Sequence, residues 1–277
     1  MDNVKELQLV AERVALDAAA RIREKRAELG DIANFTQTKS SPVDPVTIVD
    51  TYAEECIVSA LQDLRPQDGV IGEEGTETAS ASGVTWIIDP IDGTVNFLYG
   101  IPQFAVSIGA AVNGEVVAGA VINVTTGDLY SAAKGQGAQL RTSDNVTQLH
   151  CTNVSELSLA LVATGFGYAA ARRARQGEIV AKLLPQVRDI RRMGSAALDL
   201  CAVASGQVDA HWEHGLNAWD YAAGSLIASE AGAEIHIPPL SSSGANGELT
   251  MVAAPGIFEQ LLVVLEELNA VGPLRVQ

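Results

Sequence analysis

A mixed helix-and-sheet fold of the α+β class is predicted by three observations on this 277-residue sequence. The chain opens on a long amphipathic pattern, its middle is a run of β-prone segments around an Asn-Gly turn, and beyond about residue 150 short apolar strands alternate with helical patterns. The length suits one large domain or two of ordinary size, and a hydrophobic fraction of 47% supplies enough apolar surface for a sizeable core.

Taken in order, Val4, Leu7, Val10, Ala11, Val14, Ala15 and Ala18 recur at helical spacing with charged residues on the other faces, which predicts the first helix. From Gly30 to Val46 the pattern dissolves into Thr, Ser, Gln and the prolines Pro42 and Pro45, and reads as a loop. Thr47 to Leu64 is helical again, Val70 to Gly72 is a short strand leading to Glu73-Glu74, and Trp86 to Ile88 is a buried strand. Asp89-Pro90 is expected to stop that strand, because proline has no backbone N–H to give to the ladder. Phe104 to Val112 and Glu115 to Val124 form a hairpin about Asn113-Gly114, the dipeptide whose left-handed tolerance best fits a two-residue turn. Leu129 to Ala133 adds a strand, and Gly135-Gln136-Gly137 is a turn. Thereafter strands are predicted at 159–163, 189–192, 208–212 and 251–254, with helices at 176–184, 195–204, 219–231 and 257–268. The switch in pattern places the two halves at 1–150 and 151–277.

The net charge of −16 and pI near 4.5 leave no basic footprint for nucleic acid or an anionic membrane. The same charge would repel an anionic substrate unless bound cations reverse the local potential. Cys56, Cys151 and Cys201 are odd in number and lack C-x-x-C spacing, so they are expected as small buried residues rather than a disulfide or zinc set. Without a long apolar run or a signal-peptide pattern, a cytoplasmic protein is expected.

Chemistry concentrates in Asp89-Pro90-Ile91-Asp92-Gly93-Thr94, where two carboxylates and a hydroxyl share a turn that glycine lets another backbone approach. Alone, such a turn is common punctuation. Held together at a strand end, the two acids suit a hard divalent cation such as Mg²⁺, which prefers a few carboxylates plus phosphate oxygens. Asp50 and Asp220 each fall in the first turn of a predicted helix, where an acid also suits the helix dipole, and Glu73-Glu74 by itself reads as a solvated loop. His211 and His214 flank Glu213 and are read as packing or surface residues; Arg172, Arg173 and Arg175 are read as a solvated helix face, or alternatively as a gate for an anion.

The run from Asp89 to Phe97 resembles the signature of the inositol monophosphatase family, Mg²⁺-dependent, lithium-sensitive phosphatases related to fructose-1,6-bisphosphatase. Three further stretches follow that pattern: Lys39 to Asp50, Gly72 to Gly75, and Trp219 to Gly232. The resemblance implies a layered αβαβα sandwich, a homodimer, and two or three Mg²⁺ ions held by Glu73, Asp89, the Ile91 carbonyl, Asp92 and Asp220. It implies that Asp50 and Thr94 orient an attacking water, with Glu73 also in the catalytic set. Asp92, Gly93, Thr94 and Asp220 would meet the phosphorylated substrate, while Gly194, Ser195, Ala196 and Glu213 form the rest of its pocket. Glu213 matches the acid that meets a substrate hydroxyl in enzymes acting on inositol 1-phosphate; relatives act on histidinol phosphate, phosphoadenosine phosphate or fructose 1,6-bisphosphate. A catalytically idle, metal-binding regulatory protein is the contrasting expectation. Val95, where a second threonine is usual, and the segment 165–173 depart from the common pattern.

Overall fold

The computed structural model describes residues 4–30, 36–38 and 45–275. Helix α1 (Val4–Leu29) buries Leu7, Ala11, Val14, Ala15, Ala18 and Ile22, the i, i+3/i+4 stripe expected of an amphipathic helix. The segment read as a loop contains two short antiparallel strands, β1 (Thr36–Thr38) and β2 (Pro45–Thr47), three residues each and too short to show an alternation. Residues 31–35 and 39–44 of that predicted loop, the latter including Lys39 to Asp44 of the Lys39–Asp50 stretch, lie outside the described residues. Helix α2 (Ile48–Leu64) starts at a capping box, in which the Thr47 hydroxyl accepts from Val49 N and Asp50 accepts from Thr47 N.

Eight strands then follow through residue 148 with α3 among them: β3 (Gly69–Gly72), β4 (Glu77–Thr78), β5 (Val84–Asp92), α3 (Thr94–Tyr99), β6 (Ala105–Val112), β7 (Glu115–Asn123), β8 (Leu129–Ala133), β9 (Ala138–Arg141) and β10 (Val146–Gln148). They hydrogen-bond in the order β10-β9-β8-β7-β6-β5-β3-β4, antiparallel except for the parallel pair β3 and β5. Asn113 and Gly114 both take left-handed φ (53° and 80°) at the β6–β7 turn, as that dipeptide predicts. Pro90 does not stop β5. The strand continues to Asp92 through a register shift, Asp89 facing Ser107 and Asp92 facing Ala105, so the missing N–H falls in a bulge with one extra residue.

The remaining elements are β11 (Leu161–Thr164), α4 (Ala170–Leu183), β12 (Asp189–Arg191), α5 (Ala196–Ala204), β13 (Ala210–His214), α6 (Ala218–Glu230), β14 (Glu234–His236), β15 (Leu249–Ala253) and α7 (Pro255–Glu267). Their strands pair in the order β12-β11-β13-β15-β14. Helix α4 begins six residues earlier than the predicted 176–184.

Three cores stack these elements into the αβαβα sandwich. Ile22, Ile57, Trp86, Ile88 and Ile122 join α1 and α2 to one face of the eight-stranded sheet. Ile87, Val121, Leu200, Tyr221 and Val252 join its other face, through α5 and α6, to the five-stranded sheet. Ile179, Trp212, Met251 and Leu261 close the outer face with α4 and α7. β5 thus buries Trp86 and Ile88 one way and Ile87 the other, which is why its sequence is apolar without alternation. Helix α6 lies very close to the first sheet: a Cβ at Gly119 would sit 3.0 Å from Ala223, and one at Gly109 3.2 Å from Ala222.

Candidate active site

The bulge at the end of β5 turns two successive acids toward the seam between the sheets. Asp89 is buried, and its Oδ1 accepts from the Ile91 N–H at 2.9 Å, which fixes the turn from within. Gly93 follows with φ +93°; a side chain there would press on the Gln103 and Gly194 carbonyls at 3.0 and 3.1 Å. Thr94 then points its hydroxyl between the Asp50 carboxylate and the Ile91 carbonyl, 3.1 Å from each. Asp50 is fully buried, so one α2 side chain closes its helix N-terminus and holds Thr94 at once.

The second half of the chain supplies the opposite wall. Ser195 caps α5 by accepting from Leu198 N and donates its own hydroxyl to Asp92 Oδ2 at 2.6 Å. The Ala197 N–H donates to the same oxygen at 2.7 Å, so Asp92 rests on the positive end of α5. Asp220 is the third residue of α6 and accepts from Asn217 N at 2.7 Å in a capping box. Oxygens of Asp89, Asp92 and Asp220 lie within 4.8 Å of one another.

A cavity of about 580 Å³ opens over this cluster. Glu73, Asp89, Ile91, Asp92, Gly93, Thr94, Gly194, Ser195, Ala196, Glu213 and Asp220 all line it. Asp50 does not reach the cavity and stands one hydrogen bond behind Thr94.

Burial and mutual repulsion dominate the electrostatics. The Asp89 carboxyl is pushed well above its ordinary range by burial, then by the negative charges of Glu73, Asp92 and Asp220. Asp220 is raised well above its ordinary value by burial and by Glu73 and Asp92. Asp92 rises to about 6 because burial outweighs the donors from Ser195 and Ala197. Acids this crowded and this dry need either protons or a cation. The donor set is entirely oxygen, which fits a hard divalent ion rather than zinc or copper.

Glu213, expected in the pocket from the resemblance, lines the cavity together with Arg192, Asp199 and Asn217, which the sequence did not single out. Glu213, on β13, is raised to about 7, chiefly by burial. His211 on the same strand is fully buried, with Nδ1 3.6 Å from Asp199 and Nε2 3.9 Å from Glu213. It is packed, as expected, but packed against the cavity wall. Arg172 departs from the predicted solvated face: it is buried, and its Nε, Nη1 and Nη2 donate to the Leu274, Gly244 and Ala245 carbonyls, each at 2.9 Å. Arg173 is exposed and Arg175 half-buried. An arginine's distant carbonyl partners leave no mark in its own neighbourhood of sequence. Of the cysteines, Cys201 is buried as expected, whereas Cys56 and Cys151 are partly exposed.

Two sheets between three helical layers, with a buried cluster of carboxylates in the cleft at their seam, define the αβαβα class of metal-site enzyme. The chain belongs to the inositol monophosphatase family, whose sequence profile matches residues 3–260, and it is accordingly a phosphatase. The inositol-1-monophosphatase SuhB of Mycobacterium tuberculosis (strain ATCC 25618 / H37Rv) is 50% identical over 279 residues, covering 97% of this chain and 96% of that protein. The solved structure of Mycobacterium tuberculosis SuhB superimposes with a TM-score of 0.85 at 47% identity, over 98% of this chain and all of that one (100%). A protein of Pasteurella multocida (strain Pm70) named Nus factor SuhB is 35% identical over 268 residues, covering 95% of each.

Proposed function

We propose that this phosphatase is a Mg²⁺-dependent phosphomonoesterase whose preferred substrate is a small phosphorylated polyol, inositol 1-phosphate first among them. The observation that carries the reading is the cluster of Asp89, Asp92 and Asp220 oxygens within 4.8 Å, beside the Thr94–Asp50 pair. Glu73, Asp89, Asp92, Asp220 and the Ile91 carbonyl would hold two or three ions, Asp92 being shared. Bound Mg²⁺ supplies charge neutralisation for the phosphoryl group and acidity to a coordinated water.

The remaining work falls to the chain. Thr94 donates its hydroxyl hydrogen bond to Asp50, so a lone pair on its oxygen is left to accept from an attacking water and hold it in line with the phosphorus. Gly93, Thr94 and Asp92 offer the backbone on which the phosphate rests, and Glu73 shapes the water's side of the cleft. Glu213 accepts from a substrate hydroxyl, with Gly194 and Ala196 beside it; Ser195, its hydroxyl already given to Asp92, contributes through its backbone. Asp89-Pro90-Ile91-Asp92 lacks the Asp-x-Asp spacing of phosphatases that form an aspartyl-phosphate, which favours direct attack by water. Phosphorylated aspartate after an acid quench would sink that mechanism.

The same reading takes the protein as a lithium-sensitive cytoplasmic homodimer of two αβ halves meeting near residue 150. In support, the first sheet is drawn from strands ending at Gln148 and the second from strands starting at Leu161. No described helix is long and apolar enough to cross a membrane. A regulatory role is the second reading, drawn from the name Nus factor that the Pasteurella relative carries; in it the chain binds metal without turnover. Phosphate release with Mg²⁺ and with EDTA on inositol 1-phosphate, histidinol phosphate, fructose 1,6-bisphosphate and phosphoadenosine phosphate separates them. Metal-dependent release greatest on the inositol ester supports the proposal, preference for another ester rejects the substrate, and Mg²⁺ binding without release favours the regulator.

A further inference from the structure

We propose that Glu54 is a positioning residue for the metal site, a buried carboxylate of α2 that seats the turn carrying Glu73. The inference rests on the reading of Glu73 as a ligand. Helix α2 presents Asp50 and Glu54 four residues apart on one face, both buried, Glu54 with 3% of its surface exposed. Asp50 reaches forward to Thr94. Glu54 reaches to the β3–β4 turn, where its Oε2 accepts from the Glu74 N–H at 2.8 Å and its Oε1 from the Thr76 N–H at 3.0 Å. Two acceptors on one rigid group thus hold two amides that bracket the backbone just after Glu73.

The turn is shaped to receive that carboxylate. A Cβ at Gly72 would fall on the Glu54 oxygens, so only glycine leaves the seat open. Gly72 N donates to Thr76 O at 2.8 Å, and Glu73 N to Ile88 O at 3.2 Å, which closes the turn and ties it to β5 just before Asp89. Glu54 itself does not line the cavity. Its carboxylate acts only by fixing the direction in which Glu73 leaves the sheet. A glutamine there would offer one acceptor and turn an NH₂ toward the other amide, leaving a buried donor facing a donor.

The test is Mn²⁺ binding followed by electron spin resonance, together with Mg²⁺ dependence of phosphate release, on E54Q, G72A, E73Q and the E54Q/E73Q double variant. E54Q and G72A should each weaken metal binding about tenfold to a hundredfold, the range for residues that orient ligands, with turnover recovering as Mg²⁺ is raised. The double variant should bind no more weakly than E73Q. If E73Q binds metal like the wild type, the reading of Glu73 itself fails. If E73Q weakens binding while E54Q and G72A do not, or if they lower only the melting temperature, the positioning role is overturned. A further loss in the double variant beyond E73Q overturns it also. Should E54Q fail to fold, G72A decides alone, by the same metal-affinity criterion.

Discussion

Asp92 meets the Ser195 hydroxyl and the Ala197 amide through one oxygen, which leaves the other for the cleft. Replacement by asparagine keeps the shape and removes the charge. Asp92→Asn is expected to abolish turnover at ordinary Mg²⁺ concentrations, with the loss visible in a calorimetric Mg²⁺ titration as well as in phosphate release. Wild-type turnover in that variant would rule out Asp92 as a ligand. Thr94 is different in kind, since orienting a water matters mainly in the transition state. Thr94→Ala should lower kcat by about 10²- to 10⁴-fold with little change in KM. An unaltered kcat would remove Thr94 from the mechanism.

Between elements, two buried nitrogen-bearing side chains, one on α4 and one on the second sheet, hold the C-terminal segment. Arg172 of α4 ties the rim loop at Gly244 and Ala245 to Leu274 by three carbonyls at once, a geometry that a lysine ammonium on a single stem cannot reproduce. Arg172→Lys should cost about 1–3 kcal/mol in urea unfolding, the cost of leaving buried carbonyls unpaired. A midpoint equal to the wild type would show that the clasp contributes nothing. His214 of β13 bonds the Ala270 carbonyl at 2.7 Å, and burial lowers its pKa from 6.5 to about 4, with Arg172 and Arg175 pushing in the same direction. The unfolded chain therefore binds a proton that the folded one refuses between those values. Stability should fall by about 3 kcal/mol as pH drops from roughly 6.5 to 4. Asp92 and Glu213, raised to about 6 and 7, titrate with the opposite sign in this range, so the effect is read as the difference between wild type and His214→Gln. Parallel pH profiles for the two proteins would refute it.

The elements most legible in the sequence were those long enough to carry a period. α1, α2, the Asn113-Gly114 hairpin and α6 fall within a few residues of their predicted bounds. β4, β10 and β14 are short, polar and exposed, so no apolar alternation announces them. Pro90 misled because the rule for proline is local, whereas a bulge depends on the register of β6. At the site, the candidate ligands and the turn from Asp89 to Thr94 were legible through motif resemblance, whereas lining residues such as Arg192, Asp199 and Asn217 were not. Of the contacts that assemble the site, the Thr94–Asp50 pair, 44 residues apart, was implied by the resemblance, whereas Ser195 meeting Asp92 across 103 residues left no mark in the sequence.

At the scale of the molecule, the candidate site joins both sheets, since Asp89 and Asp92 leave the first and Asp220 enters α6 beneath the second. A cation bound there would cross-link the elements of both sheets and offset the repulsion among these carboxylates. Mg²⁺ should therefore raise the melting temperature. Its binding near pH 6 should also release protons, because Asp89 and Asp220 are raised well above their ordinary range and Asp92 to about 6. Calorimetric enthalpies that shift with the ionisation heat of the buffer would show the release. Enthalpies independent of buffer, and a melting temperature indifferent to Mg²⁺, would contradict a cation at this seam.

The central helical layer has a consequence for how the protein is born. The strands of the eight-stranded sheet are complete by Gln148, yet the face that carries Ile87, Val121 and Tyr130 is covered by α5 and α6, which end at Glu230. A ribosome adding roughly 5–20 residues per second leaves that face uncovered for several seconds. During synthesis the nascent sheet is thus an oily surface in search of a lid, and a chain that stalls between these points presents it to chaperones or to its neighbours.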